Sequence, residues 1–145
     1  MSKKIKNYNG WTNYATWRIN LEIFADMDAE KIEEAFYAGR LYMEPITSTN
    51  VKQYVLDFLF GSREFPENAV EHMVESYARS FLNQVNWYEI STHLNFSLWE
   101  NLEHEFSQDS SLQEEYKTLQ DWLQDEYDTH IEDIQYFKEM AGVEE

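Results

Sequence analysis

The apolar residues of this chain recur at spacings of three and four, the period that lines one face of an α-helix. Tyr14, Trp17, Leu21 and Phe24 predict a helix over about residues 13–25, entered through Thr12 or Asn13 as N-cap. Asp28 caps a second helix, with Ile32, Ala35 and Phe36 inward and Gly39 at its end. Asn50 or Thr49 caps a third from about Val51 to Phe60, stopped by Gly61. Pro66 sits where a first helical turn tolerates it, and Val70, Met73, Val74, Tyr77, Phe81 and Leu82 mark a fourth helix to about residue 84. Asn86 caps the next, with Trp87, Ile90 and Leu94 in phase, and a further turn or two carries Leu98, Trp99, Leu102 and Phe106. After the polar break Ser107–Ser111, the residues Leu112, Tyr116, Leu119, Leu123, Tyr127, Ile131, Ile134 and Phe137 predict one helix over 111–140, or two broken near Thr129. Only Thr47–Val51 and Asn83–Trp87 invite a strand. The expected class is mainly α: a single helical domain with a long acidic C-terminal helix or helical hairpin. Its expected parts are a flexible basic lead-in (1–10), a helical core (11–106) and an acidic segment (107–145) packed on the same domain.

Charge is the second constraint. The chain has 28 acidic and 11 basic residues, a formal net charge of −17. Residues 1–96 hold 13 acids and 9 bases, whereas residues 97–145 hold 15 acids and 2 bases. A merely solvated surface predicts excess acid but not this polarity. Nucleic acid as a direct partner and an anionic membrane are both disfavoured, because each requires a basic surface. Cysteine is absent, which excludes disulfides, thiolate nucleophiles and thiolate metal sites. The start lacks the apolar stretch of a signal peptide, and no segment approaches the roughly 18 apolar residues of a membrane span. A cytoplasmic protein is expected.

Motifs for catalysis are sparse. Glu89–His93, Glu100–His104 and Glu126–His130 each place a carboxylate and an imidazole on one helix face, and two such helices together could hold a divalent metal. The Glu-x-x-His motif of di-iron bundles and the zincin motif are both missing. Asp26 and Asp28 do not open a calcium loop, since Lys31 and Tyr37 stand where Gly and Glu are needed. The four glycines are isolated, so no phosphate-binding loop forms. The expectation is a non-enzyme without cofactor. A metal-binding helical protein or enzyme using His93, His104 and His130 with nearby glutamates, or an acidic accessory or scaffold protein, is the alternative.

Trp17, Phe24, Phe36, Phe58, Phe81 and Trp99 fall at core spacing. Tyr88, Tyr116, Trp122, Tyr127 and Tyr136 lie among acids, where aromatics can anchor an interface that charge steers. Within 111–140 nine carboxylates would span roughly 45 Å of helix, one per about 5 Å. A DNA strand carries one phosphate per about 3.4 Å, within a factor of two. Glu100, Glu103, Glu105 and Asp109 could add to the surface from a neighbouring helix. Such a surface can occupy a nucleic-acid channel whose arginines and lysines meet carboxylates in place of phosphates.

The opening Tyr8-Asn9-Gly10-Trp11-Thr12-Asn13-Tyr14-Ala15-Thr16-Trp17-Arg18-Ile19-Asn20-Leu21, with Val85-Asn86-Trp87-Tyr88-Glu89-Ile90, resembles two blocks of a group of small bacteriophage and plasmid proteins. The resemblance covers some twenty residues, implies a mobile-element origin and carries over no catalytic residue. In composition alone the chain is similar to acidic antirestriction and anti-CRISPR inhibitors that mimic DNA. The expected function is therefore an inhibitor that binds the basic nucleic-acid channel of a host restriction or CRISPR effector. The expected binding residues are Glu114, Glu115, Asp121, Asp125, Glu126, Asp128, Glu132 and Asp133, with Trp122 as anchor. Homodimerisation through the Leu112–Phe137 face would double the charged surface.

Overall fold

The computed structural model describes residues 8–38, 41, 43–61 and 67–143. Gly39, Pro66 and most of the basic lead-in lie outside the described residues. The described chain is mainly α: α1 (Tyr14–Ile19), a π-helical turn (Asn20–Phe24), α2 (Ala29–Tyr37), α3 (Ser48–Phe60), α4 (Ala69–Leu82), α5 (Trp87–Gln108), α6 (Ser110–Glu115), α7 (Leu119–Glu126) and α8 (Ile131–Met140). Among the described residues the only β-pairing is a single bridge between Tyr8 and Trp11.

Two compact units emerge, each built from two chain segments. The first comprises Met1–Asp26 and Ser48–Ile90, the second Met27–Thr47 and Ser91–Glu145. Helix α5 contributes its first turn to one and the rest to the other.

In the first unit the two sequence blocks singled out above meet one another. Asn13 caps α1 by accepting from the Thr16 N–H at 2.9 Å, and its Nδ2 donates to the Gln84 carbonyl at 2.8 Å. Thr12 donates from both its backbone N–H and its hydroxyl to the Glu89 carboxylate, each at 2.9 Å. The Asn86 N–H donates to the Thr16 hydroxyl at 2.8 Å. The blocks are thus a clamp between the entries of α1 and α5, which is a sufficient structural reason for both. Tyr8 stacks on Trp17 at 6.5 Å, and Tyr14 meets Trp17 at 5.6 Å.

The expected regular helix over 13–25 loosens after Ile19. Ala25 bonds back to the Asn20 carbonyl, a five-residue step. Ala15, Thr16 and Ile19 of α1 are buried together with Asn20 and Phe24 of the π-helical turn, and Tyr14 and Leu21 are exposed. Phe58, read as core, is also exposed, because α3 buries only Val51 and Val55.

The second unit has the denser core. Leu94, Leu98, Trp99 and Leu102 of α5 share it with Ile32, Ile46, Leu123, Ile134 and Phe137. Asn95, fully buried, accepts from the Ile46 N–H at 2.7 Å and donates to the Ile46 carbonyl at 3.0 Å, pairing with that loop as a strand would. It also reaches the Met140 carbonyl at 3.5 Å. Gly142 ends α8 in the left-handed region (φ 71°), where a Cβ would sit 3.1 Å from the Thr92 methyl of α5.

The long C-terminal rod is absent. Residues 110–140 form three short helices, because Tyr116 turns extended (φ −120°, ψ 132°) and Thr118 caps a new helix by accepting from the Asp121 N–H at 3.1 Å. The second break, at Tyr127–His130, lies where Thr129 was expected to interrupt, and α7 packs on α8 across it.

Candidate binding surface

The structural division sharpens the charge asymmetry. The first unit holds 8 acidic and 7 basic residues, the second 20 acidic and 4 basic, so nearly all of the surplus belongs to one compact body. Twenty acidic against four basic residues give that unit a formal net charge of −16.

The eight predicted binding carboxylates are all in this unit and all exposed: Glu114, Glu115, Asp121, Asp125, Glu126, Asp128, Glu132 and Asp133. Glu100, Glu103 and Glu105 of α5 and Asp109 beyond it are exposed in the same unit. Some of these groups have local duties. Asp109 caps α6 by accepting from Ser111 and Leu112 N–H at 2.9 and 3.2 Å. Asp121, Glu132 and Asp133 lie in first turns, where the helix dipole favours a negative charge. Asp133 accepts from the Thr129 hydroxyl at 3.3 Å.

Others oppose local helix physics. Glu114 and Glu115 end α6, and Asp125 and Glu126 end α7, and neither helix has a basic residue in its last turn. A carboxylate there faces the negative helix end at a cost of about 0.3–1 kcal/mol each. Asp125 is partly compensated by the Tyr116 hydroxyl, which donates to it across the break between α6 and α7. That hydrogen bond heads the causes that push the Tyr116 phenol up to about 12; desolvation and the nearby charges of Asp125 and Glu115 add to it. Gln113 Nε2 fixes the preceding junction by donating to the Phe106 and Ser107 carbonyls at 3.0 and 2.9 Å.

Trp122 is not an anchor. It is 5% exposed and stacks on Phe106 with ring centroids 5.9 Å apart, because the Thr118 cap phases α7 so that Trp122 and Leu123 point inward. Of the aromatics that lie among acids, Tyr88 of the first unit and Tyr136 of α8 are exposed, and Tyr136 is flanked on its helix by Glu132, Asp133 and Glu139. Of the Leu112–Phe137 face, Leu123, Ile134 and Phe137 are wholly buried in this unit, and Leu112, Tyr116, Leu119, Tyr127 and Ile131 are half-buried.

A shallow groove lined by Asp28, Glu100, Glu103 and His104 adds carboxylates from α5 and the cap of α2. Among the described residues no group of three or more His, Asp or Glu side chains is placed to hold a metal ion. Of the Glu–His pairs, Glu89 is engaged by Thr12 as described. Packing around the His93 ring lowers its pKa, which disfavours the charged form. No helix among the described residues is long and apolar enough to cross a membrane. No family model, curated protein or solved structure matches the chain.

Proposed function

We propose that the second unit is a phage-type inhibitor surface that enters the basic nucleic-acid channel of a host defence complex, a restriction or CRISPR effector, and holds it without turnover. The observation that carries this reading is the gathering of 20 acidic against 4 basic residues in one compact unit. Its support is the placement of Glu114, Glu115, Asp125 and Glu126 at helix ends, where the helix dipole disfavours a negative charge. Arginines and lysines that normally grip phosphates form equally strong charge-assisted bonds with carboxylates. Tyr136, rather than Trp122, supplies the aromatic contact. Because the carboxylates sit on three short helices and, for Asp128, in the turn between two of them, the surface presents a folded patch of charge and not a linear copy of one strand.

The reading predicts capture of a nucleic-acid-handling complex from host lysate at low salt, release at intermediate salt, and displacement by duplex DNA. A captured partner that duplex DNA leaves in place would exclude the mimic mechanism and assign the surface to another basic protein.

A further inference from the structure

The first unit carries a surface of opposite character. Among the described residues, ten of the twelve exposed large hydrophobic side chains lie in it. The densest row is on α4, where Val70 is 66%, Met73 52%, Val74 59% and Tyr77 70% exposed. These positions recur at three and four and share one helix face. The packed stripe of the same helix lies about a third of a turn away: Leu82 is buried, and Glu71, Glu75 and Ala78 are half-buried. Glu75 pairs there with Arg79 at 2.8 Å, and Arg79 lies over the Phe60 ring at 4.4 Å. Helix α4 therefore turns its more polar side inward and its apolar side out, the reverse of a surface helix that has no partner.

We infer that this face of α4 is a homodimer interface, in which α4 packs antiparallel against α4 of a second copy of the chain. Three observations select a second copy as occupant. First, the unit is nearly neutral, with 8 acidic and 7 basic residues, so apposing two of these units meets little charge repulsion. Second, at 100° per residue the face from Val74 and Val70 across Tyr77 and Met73 continues into Ala69, Ser76 and Ser80 without a charged residue. In an antiparallel pair like edges meet, and this small-residue edge lets two helix backbones approach closely. Third, the patch continues through the half-buried Phe81, whose ring meets exposed Tyr14 at 6.3 Å. Together with Tyr14 and Tyr8 the row exposes on the order of 600 Å², the top of the range for the largest patch on a monomer and near the roughly 800 Å² per partner of a stable interface. The unit's own buried core explains why it needs the complement: its large buried hydrophobic side chains are Ile19, Phe24, Val51, Val55, Leu82, Val85 and Ile90, with α4 contributing Leu82 alone.

Sedimentation equilibrium of the full chain tests this directly. The expected mass at tens of micromolar is twice the 17.5 kDa of one chain. A single-chain mass up to several hundred micromolar overturns the inference and leaves the face to a foreign partner. The double variant Val74→Lys/Tyr77→Lys is expected to halve the mass with an unchanged far-ultraviolet spectrum; a dimer that survives it overturns the assignment to α4. Because the chain has no cysteine, Ser76→Cys gives a second readout that needs no charged substitution. Oxidation should yield the disulfide dimer at least tenfold faster than from Ser110→Cys in the second unit, and equal rates would refute the antiparallel contact.

Discussion

Asn95 shows what a single residue contributes that no spacing rule reveals. Its carboxamide serves the backbone of Ile46, 49 residues away, and both partners are buried. Asn95→Ala would leave a donor and an acceptor without partners, a loss of about 3 kcal/mol, visible as a lower urea midpoint at unchanged slope. Ala38 offers the opposite case. It ends α2 in the left-handed region (φ 53°), where a Cβ is strained. Ala38→Gly should stabilise by about 1 kcal/mol in the same assay. The caps Asn13, Asp28 and Asn86 were legible because a cap acts three residues downstream, and Asp28 and Asn86 accept from Lys31 and Glu89 N–H at 3.0 Å as expected. Tyr116 and Asp125 are nine residues apart and meet only through the turn between α6 and α7, so their bond was not legible. The phenol's pKa is raised, so the bond's contribution is complete below the ordinary tyrosine value near 10 and is lost as pH rises through about 12. In a spectrophotometric titration Tyr116→Phe should remove absorbance change from the end of the curve and none from its start.

At the level of elements, periodicity located the helices well and their orientation poorly. The 70–82 pattern is helical in either orientation, and a spacing of three and four does not say whether the apolar face meets its own chain or another. The same ambiguity placed Tyr14, Leu21 and Phe58 in a core that α1 and α3 fill with other residues. In the C-terminal segment the period runs through two breaks, because Thr118 and His130 restart helices nearly in phase with their predecessors. Helix ends also carry a testable cost. Replacing Glu114 and Glu115 by lysine puts the favourable sign at the end of α6 and should hold or raise Tm by up to a few degrees. A drop of several degrees would mean these carboxylates are structural.

Taken whole, the chain pairs a nearly neutral, apolar-surfaced unit with a strongly acidic one. The linear sequence displayed this only in part, because residues 27–47 add five acids to the second unit from far upstream. A formal charge of −17 opposes compaction through self-repulsion, which salt screens. Tm should therefore rise between low and half-molar sodium chloride, whereas binding through the acidic surface should weaken over the same range. The most direct test of that surface is the fourfold variant Glu114→Lys, Glu115→Lys, Asp125→Lys, Glu126→Lys, compared with the unaltered chain in a DNA-displaceable capture of the host complex. Loss of capture by a variant that keeps its helical spectrum and melting transition is the predicted result; capture as strong as that of the unaltered chain would contradict the account.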